Sequence, residues 1–284
     1  MKLSLGLQLC GIMAFGFCCQ KQARAQVSGD TREIPFVLAN GFLIEFEGAI
    51  GTSTGLKFIL DTGATHSIVD RNLARDLGVL PHTKRLFDFD RYVDAGLGVF
   101  PEVLIGPVHA TNVPLLVGDL QKLSPFASTA VAIIGADLLS LADFAVDYDK
   151  RVLSFHQQDG QSSSANHHET GMIVELEVQG RRINVLVDTG TEGMFLFENR
   201  LKLQIPHLIL YDDPTEVLVG SRLAGRRVTL PDVQLGSKTL EGKAILVKGP
   251  PSDVLPGIDG YLGTAALKPH RIEFNHTHNL FSWR

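Results

Sequence analysis

The chain has 284 residues, of which 44% are hydrophobic and 20% are charged, and its formal net charge is −5. This composition supplies enough apolar material for a packed core, in one large domain or two small ones, and it excludes a disordered or collagen-like chain. The excess of acidic residues would repel phosphate backbones, so a nucleic-acid-binding function is not expected.

The first 25 residues have the pattern of a secretory signal peptide. A lysine near the start is followed by the apolar stretch LSLGLQLCGIMAFGFCC, and the small-residue sequence ARA ends at Ala25. We therefore expect an exported protein, periplasmic or secreted, whose mature chain begins near Gln26. A lipid anchor on Cys18 or Cys19 is the alternative, and the large Phe17 before Cys18 argues against it.

All three cysteines lie within this leader, so we expect the mature protein to have no disulfide, no thiol nucleophile and no cysteine-based zinc site. Removing residues 1–25 takes away three basic residues and no acidic ones, which gives a mature charge of 23 − 31 = −8. No later segment has the length of an apolar membrane span. A stable membrane span is therefore not expected.

The stretch FILDTGATHSIV, at residues 58–69, places Asp61 directly after a β-prone apolar run. A carboxylate in that position is costly to bury, so it is either a turn residue that faces water or a group held there for chemistry. A single Asp-Thr-Gly is typical of an ordinary turn. The helix predicted next, DRNLARDL at 70–77, has Asp70 as its N-cap and Gly78 as its stop signal.

The Asp-Thr-Gly stretch occurs a second time, as VLVDTGTEGMFL at residues 185–196. Asp188 follows its own apolar run, and 188 − 61 = 127 residues separate the two aspartates. Three further landmarks recur in the same order at nearly the same offset. FPEVLIG at 100–106 matches LPDVQLG at 230–236, IIGADLL at 133–139 matches YLGTAAL at 261–267, and VDYDKRVLSF at 146–155 matches FNHTHNLFSW at 274–283. This is the pattern of an internal duplication.

The repeat divides the chain into a first half at 32–156 and a second half at 170–284, joined by the polar linker QQDGQSSSANHHE at 157–169. Each half consists of short Val-, Ile-, Leu- and Phe-rich runs separated by Gly, Pro and Asp, which favours strands. The few predicted helices include ENRLKL at 198–203, the counterpart of the helix at 70–77. We predict a mostly β fold.

Two carboxylates brought within hydrogen-bonding distance cannot both ionise cheaply, so the pair would share one proton over a wide pH range. The ionised member can accept a proton from water while the protonated member polarises a carbonyl, which is general acid-base catalysis without a covalent intermediate. Gly63 and Gly190 would let the backbone N–H groups approach the carboxylates. Thr62 and Thr189 have hydroxyls that could hydrogen-bond across to the opposite loop.

ILDTGAT and VLVDTGTE, each followed some 75 residues later by two apolar residues and a glycine, resemble the aspartic peptidases, both retropepsin-like and pepsin-like. Each half resembles a retropepsin-like unit of the bacterial exported type, and the resemblance covers almost the whole mature chain. It implies two pseudo-twofold-related β-barrel lobes, with Asp61 and Asp188 as the catalytic dyad and Thr62 and Thr189 as a cross-braced grip. It also implies that 133–135 and 261–263 pack beneath the catalytic loops.

The resemblance further implies a flap hairpin in each half, for which the candidates are RYVDAGLGV at 91–99 and GSRLAGRRV at 220–228. Two departures from the family pattern stand out. Ala64 follows the first motif as in retropepsins, whereas Thr191 follows the second as in pepsins, so the two aspartates would differ electrostatically. Ala136 and Thr264 occupy the position of the arginine that viral retropepsins carry, so the halves would dock through other contacts.

These inferences predict an exported aspartic endopeptidase that acts on a peptide or protein substrate as a monomer with an intramolecular pseudo-dimer. A catalytically inactive exported peptide-binding or scaffold protein that uses the same cleft is the alternative. A two-carboxylate glycosidase is a third possibility, and the Thr-Gly after each aspartate gives it no support. No cofactor or metal is indicated, because His276 and His278 have no companion ligands in the sequence.

Overall fold

The computed structural model describes residues 12–13, 24–27, 33–88, 91–123, 129–156, 171–204, 213–219, 221–251 and 254–284. Strands dominate these ranges and the helices are short, which confirms the prediction of a mostly β fold with few short helices. Most of the expected leader, the whole linker at 157–169 and all three cysteines lie outside the described residues.

The elements up to the linker are β1 (Ile12–Met13), β2 (Arg24–Val27), β3 (Glu33–Ala39), β4 (Leu43–Ile50), β5 (Ser53–Leu60), β6 (Ile68–Asp70), α1 (Arg71–Asp76), β7 (His82–Asp88), β8 (Arg91–Ile105), β9 (Val108–Gly118), α2 (Leu120–Leu123), β10 (Ala132–Ile134), α3 (Ala136–Leu139), β11 (Asp143–Asp147) and β12 (Val152–His156). Those after it are β13 (Ile173–Val178), β14 (Arg181–Asp188), β15 (Met194–Phe197), α4 (Glu198–Gln204), β16 (Asp213–Val219), β17 (Ser221–Thr229), β18 (Val233–Leu235), β19 (Lys238–Thr239), β20 (Lys243–Val247), β21 (Gly260–Gly263), a 3-10 helix at Thr264–Leu267, β22 (Arg271–Asn275) and β23 (Leu280–Trp283).

The strands before the two aspartates are buried on both faces at their carboxyl ends. In β5, Phe58 and Leu60 pack into the main core, whereas Ile59 belongs to a separate apolar cluster on the opposite face. Because side chains alternate along a strand, an uninterrupted apolar run such as 58–60 is what a doubly covered strand requires. The rigid support for each Asp-Thr-Gly loop therefore comes from the apolar run in the sequence.

The same strand arrangement surrounds both loops. β10 lies between β5, to which it is parallel, and β6, to which it is antiparallel. β21 lies in the same way between β14 and β15. β6 in turn pairs in parallel with β9, as β15 does with β20. The duplicated sequence thus has a duplicated topology, and each aspartate stands at the end of a central strand.

The two halves are joined by one continuous sheet, in which β11 pairs antiparallel with β22. Ala145 faces Glu273 in this pair, and 273 − 145 = 128 is the offset of the sequence repeat. A residue that faces its own counterpart marks a twofold relationship. The pseudo-twofold axis that relates the two hairpins β11–β12 and β22–β23 therefore passes through this pair.

The helix α1 begins and ends as its sequence predicts. Asp70 is the N-cap, and its side chain accepts a hydrogen bond of 2.8 Å from the backbone N–H of Asn72. Gly78, just beyond the helix, has a φ of +69°, a conformation that glycine adopts without steric cost. Within the described ranges, no helix has the length and apolarity that crossing a bilayer requires.

Candidate active site

The structure brings Asp61 and Asp188 together from the two halves. Asp61 follows the last residue of β5, and Asp188 is the last residue of β14. Their exposed fractions are 1% and 0%, respectively. The N–H of Asp61 also donates to the carbonyl of Ile134 in the neighbouring strand at 3.0 Å, which fixes the backbone at the start of the loop.

Four hydrogen bonds between the halves connect the two loops. The N–H of Thr62 donates to Oγ1 of Thr189 at 3.0 Å, and the N–H of Thr189 donates to Oγ1 of Thr62 at 3.1 Å. The Thr62 hydroxyl donates to the carbonyl of Val187, and the Thr189 hydroxyl donates to that of Leu60, both at 2.8 Å. Each threonine therefore bonds to the opposite loop through both its backbone N–H and its hydroxyl.

The two glycines are required by the close approach of the opposite aspartate. A Cβ atom on Gly63 would lie 2.5 Å from Cγ of Asp188, and a Cβ atom on Gly190 would lie 2.7 Å from Cγ of Asp61. Real Cβ atoms do not come so close to other atoms, so any side chain at either position would displace a carboxyl group. Each carboxyl group therefore sits over the opposite loop, and the two face each other.

The hydrogen bonds to the two carboxylates are not equivalent. Asp61 Oδ1 accepts from the N–H groups of Gly63 at 2.9 Å and Ala64 at 3.0 Å. Asp188 Oδ1 accepts from the N–H of Gly190 at 2.7 Å, and its Oδ2 accepts from the hydroxyl of Thr191 at 2.5 Å. Ala64 has no hydroxyl to offer Asp61 in the same way, so Thr191 is the source of this asymmetry.

Burial of the pair raises both pKa values. Burial raises the pKa of Asp188 to about 6, and the hydroxyl of Thr191 and the N–H of Gly190 oppose the shift. The pKa of Asp61 is raised well above its usual value by burial, then by the charge of Asp188 and by its hydrogen bond with Asp188. Like carboxylates in one buried site hold a proton between them. This arrangement can supply a general base and a general acid at the same pH.

The segments expected beneath the loops are in place. Ile133 and Ile134 pair with Ile59 and Leu60 in β5, and 261–263 pair with 186–188 in β14. A Cβ atom on Gly135 would lie 2.7 Å from the carbonyl oxygen of Ala64, so the backbone that follows β10 lies directly against the first Asp-Thr-Gly loop. The two loops are therefore supported by equivalent strands, β10 in the first half and β21 in the second.

A polar cluster beside the first loop was missed by the sequence analysis. The Ser67 hydroxyl donates to Oδ1 of Asp137 at 2.6 Å and accepts from the N–H of Gly135 at 2.9 Å. The N–H of Ser67 also donates to Asp137, at 2.9 Å to Oδ2. Burial raises the pKa of Asp137, and the charge of the neighbouring His66 and the bonds from Ser67 oppose the shift. Ser67 and Asp137 are 70 residues apart in the sequence. The one feature that could have indicated them was a polar residue within each of the apolar segments FILDTGATHSIV and IIGADLL.

Other contacts join the halves where the viral arginine is absent. The hydroxyl of Tyr148 lies 3.2 Å from Oγ1 of Thr264, and the N–H of Tyr148 donates to the carbonyl of His270 at 2.8 Å. Burial raises the pKa of Tyr148 to about 12, so its hydroxyl keeps its proton for this contact. Asp143 accepts two bonds of 3.0 Å from Thr277.

The predicted flap segments belong to two β-hairpins. Residues 91–99 are part of β8, which pairs with β7 from Asp88↔Arg91 to His82↔Leu97. Residues 221–228 are part of β17, which pairs with β16. The connecting residues 89–90 and 220 are outside the described ranges. The hairpins themselves are present where the sequence predicts them.

The histidines are placed outside the dyad. Nδ1 of His66 lies 3.0 Å from Oγ1 of Thr65. His276 stacks on Phe274 with ring centroids 6.5 Å apart, and Nδ1 of His278 lies 3.0 Å from Oδ1 of Asn275. No group of three or more potential metal ligands occurs among the residues that were described and searched.

Comparison with known proteins finds similarity in part of the chain. Residues 46–138 match the family described as "Aspartyl protease". Among solved structures, a retropepsin-like aspartic protease from Rickettsia conorii aligns with 23% sequence identity over 46% of this chain and 95% of that one, with a TM-score of 0.32. The search of curated proteins gave no match. The matched residues 46–138 contain the first Asp-Thr-Gly loop, so this part of the chain is similar to the aspartyl protease family.

Proposed function

We propose that the chain is an exported aspartic endopeptidase built from two fused retropepsin-like halves, at 32–156 and 170–284, and that its dyad is Asp61 and Asp188. The single observation that carries this proposal is the buried, face-to-face pair of carboxyl groups. One aspartate comes from each half, and Thr62 and Thr189 hold the two loops together through reciprocal hydrogen bonds.

The reaction follows from the shared proton. The ionised carboxylate takes a proton from water, whose oxygen attacks the carbonyl carbon of the substrate. The protonated carboxyl donates its proton to the carbonyl oxygen, which gives a tetrahedral diol. The diol collapses as a proton passes to the amide nitrogen and the C–N bond breaks, and the products are a carboxylic acid and an amine. The peptide would bind between the halves as an extended strand beneath the hairpins β7–β8 and β16–β17.

Replacement of either aspartate tests the dyad. Asp61→Asn and Asp188→Asn should each lower kcat/KM by a factor of about 10⁴ or more, because neither variant can hold one proton between two acids. Both side chains are buried and face each other, so the amides should fit and unfolding midpoints should stay close to that of the unmodified protein. Glu192→Gln is a matched control, because Glu192 is an exposed acid that lies four positions after Asp188.

The measurement is cleavage of a peptide library between pH 3 and 7.5, with and without a pepstatin-type inhibitor. Turnover that survives in either folded asparagine variant would contradict the dyad. A protein that binds peptides tightly without cleaving them would instead be the inactive binding or scaffold protein. Export is tested separately, by fractionation of the producing cells and by sequencing the N-terminus, which should begin near Gln26.

A further inference from the structure

Tyr148 reaches from the first half to the chain that follows the strand beneath the second Asp-Thr-Gly loop. It comes directly after β11, the strand whose pairing with β22 joins the halves. Its backbone N–H donates to the carbonyl of His270 at 2.8 Å, and its hydroxyl lies 3.2 Å from Oγ1 of Thr264. The main chain of Tyr148 is thus fixed at the junction, and its hydroxyl bonds to a residue of the opposite half.

Both partners of this hydroxyl contact are held by their surroundings. The ring of Tyr148 packs edge-on against Phe36, with ring centroids 6.0 Å apart and an interplanar angle of 83°. Phe36 belongs to the main core and is 4% exposed, and Thr264 is 2% exposed. A bond between two such side chains fixes the distance between the elements that carry them.

Thr264 is connected to the second aspartate through Gly263. Gly263 faces Asp188 in the pairing of β14 with β21, and its N–H donates to the carbonyl of Gly193 at 2.9 Å. A Cβ atom on Gly263 would lie 2.3 Å from the carbonyl oxygen of Thr191, so the two backbones are in direct contact. The hydroxyl of Thr191 in turn donates to Oδ2 of Asp188 at 2.5 Å. A displacement of Thr264 would therefore reach the donor that binds the carboxylate.

The first loop cannot receive the reciprocal bond. Ala136 is the counterpart of Thr264, because 264 − 136 = 128 is the repeat offset, and a methyl group offers no hydrogen bond across the junction. The first loop is bordered instead by the hydrogen bonds between Ser67 and Asp137, which lie in its own half. Only the second loop is thus linked to the opposite half by this pair of hydroxyls.

We propose that Tyr148 is a positioning residue for Asp188, although the two residues belong to opposite halves. This inference rests on the proposed peptidase function. The effect passes through Thr264 and Gly263 to the hydroxyl of Thr191, whose short hydrogen bond weakens steeply when donor and acceptor move apart. The second carboxylate therefore reaches its catalytic geometry only when the halves are docked and the Tyr148 hydroxyl is in place.

Tyr148→Phe tests this role, because it removes the hydroxyl and keeps the ring that packs on Phe36. It should lower kcat about tenfold and change KM by less than about twofold, because the residue aligns the dyad and does not contact the substrate. The acidic limb of the kcat/KM profile should move to higher pH by about 0.5 pH unit, because a weaker bond from Thr191 stabilises the ionised form of Asp188 less. The measurement is steady-state cleavage, between pH 3 and 7.5, of one peptide that the unmodified protein cleaves.

Variants of the two threonines test the route. Thr264→Val removes the partner hydroxyl and keeps the shape of the side chain, so it should have the same effect and decides the test if Tyr148→Phe does not fold. The two changes combined should lower kcat no further than either alone, because they remove the same bond. Thr264→Ser keeps the hydroxyl and should keep the unmodified kinetics. In Thr191→Val, the added change Tyr148→Phe should not move the acidic limb further.

Thr277→Val is the matched control. It removes another hydroxyl bond between the halves, to Oδ2 of Asp143 at 3.0 Å, in the turn between β22 and β23. It should leave kcat and the acidic limb unchanged. The same changes in Thr277→Val as in Tyr148→Phe would overturn the inference, because any loosening of the junction would then suffice.

Two further results would overturn the inference and leave the peptidase function standing. One is unmodified kinetics in folded Tyr148→Phe and Thr264→Val. The other is a shift of the acidic limb by Tyr148→Phe that persists in the Thr191→Val background, because the effect would then bypass Thr191. If the folded, unmodified protein cleaves no peptide, the proposed function is wrong and this inference is wrong with it.

Discussion

Thr191 is the residue that makes the two aspartates different. Its hydroxyl donates a hydrogen bond to Asp188, and such a bond stabilises the ionised carboxylate. Burial raises the pKa of Asp188 to about 6, and it raises that of Asp61 well above the usual value, with the charge of Asp188 adding to the shift. Asp188 is therefore the member that ionises first, and Asp61 retains the shared proton.

The Thr191 hydroxyl should set the acidic limb of the pH profile. In the proposed mechanism, kcat/KM rises with pH as the pair loses its first proton, near pH 6, and falls when the second proton is lost. In Thr191→Val the ionised form loses a donor, so the pKa rises and the acidic limb moves to higher pH by about 1 pH unit. Thr191→Ser keeps the hydroxyl and should keep the limb. If the acidic limb of the pH profile does not move in Thr191→Val, the Thr191 hydroxyl does not set it.

At the scale of elements, the hydrogen bonds between Ser67 and Asp137 distinguish the first half from the second. They link the residue before β6 to the first turn of α3, and through Gly135 they reach the strand beneath the first Asp-Thr-Gly loop. The equivalent positions in the second half are Met194 and Ala265, whose side chains cannot form these hydrogen bonds. The first loop is therefore supported by a partly buried carboxylate and the second loop by apolar packing.

Ser67→Ala should lower the free energy of unfolding by about 2 kcal/mol at neutral pH, because it removes the hydroxyl that donates to the partly buried carboxylate of Asp137. Burial raises the pKa of Asp137 in the folded protein, so the stability that this group contributes is greatest at low pH and is lost as pH rises through its folded pKa. Loss of the Ser67 hydroxyl raises that pKa further. The loss of unfolding free energy in Ser67→Ala should therefore become larger as pH increases. Urea unfolding at several pH values measures this change.

The exposed Ser237, in the turn after β18, provides the control. Ser237→Ala should change the free energy of unfolding by no more than about 0.5 kcal/mol at any pH. If Ser67→Ala lowers the free energy of unfolding by the same amount at acidic and neutral pH, the Ser67 hydroxyl does not favour the ionised form of Asp137.

The sequence predicted those strands and helices whose formation depends on residues close to one another in the chain. The apolar run before Asp61 became β5, and Asp70 and Gly78 bounded α1 as their capping chemistry requires. The duplication made the facing of the two loops predictable, because each half supplies one aspartate. The hydrogen bond from Ser67 to Asp137 joins residues that are 70 positions apart, and no sequence motif links these two positions. Their pairing depends on tertiary packing, so it could not be predicted from the sequence.

At the scale of the whole molecule, charge distinguishes the two hairpins that join the halves. Asp147 faces Arg271 across β11 and β22, and their side chains form an ion pair of 3.7 Å. The repeat offset of 128 makes Arg271 the counterpart of Asp143. If two first halves paired in this register, Asp143 would face Asp147 and like charges would repel. The charge pattern thus favours pairing between unlike halves.

Arg271→Asp should therefore weaken the junction between the halves. The variant leaves Asp147 facing a like charge at a site where its side chain is 11% exposed, so the free energy of unfolding should fall by about 2 kcal/mol. Combining it with Asp147→Arg should recover a coupling energy of about 1 kcal/mol in a double-mutant cycle. Because the interaction is electrostatic, added salt should reduce the deficit of Arg271→Asp.

Arg182→Asp is the matched charge reversal away from the junction. Arg182 is 76% exposed and pairs with Glu175 within the second half, at 3.3 Å, so the free energy of unfolding should change by no more than about 0.5 kcal/mol. If the halves are held by this pair, Arg271→Asp should also lower peptidase activity, because Asp61 and Asp188 come from opposite sides of the junction. Additive effects of Arg271→Asp and Asp147→Arg would show that the charge pair does not stabilise the junction, which would leave the β11–β22 ladder and the stacking of Phe144 on Phe274 to join the two hairpins.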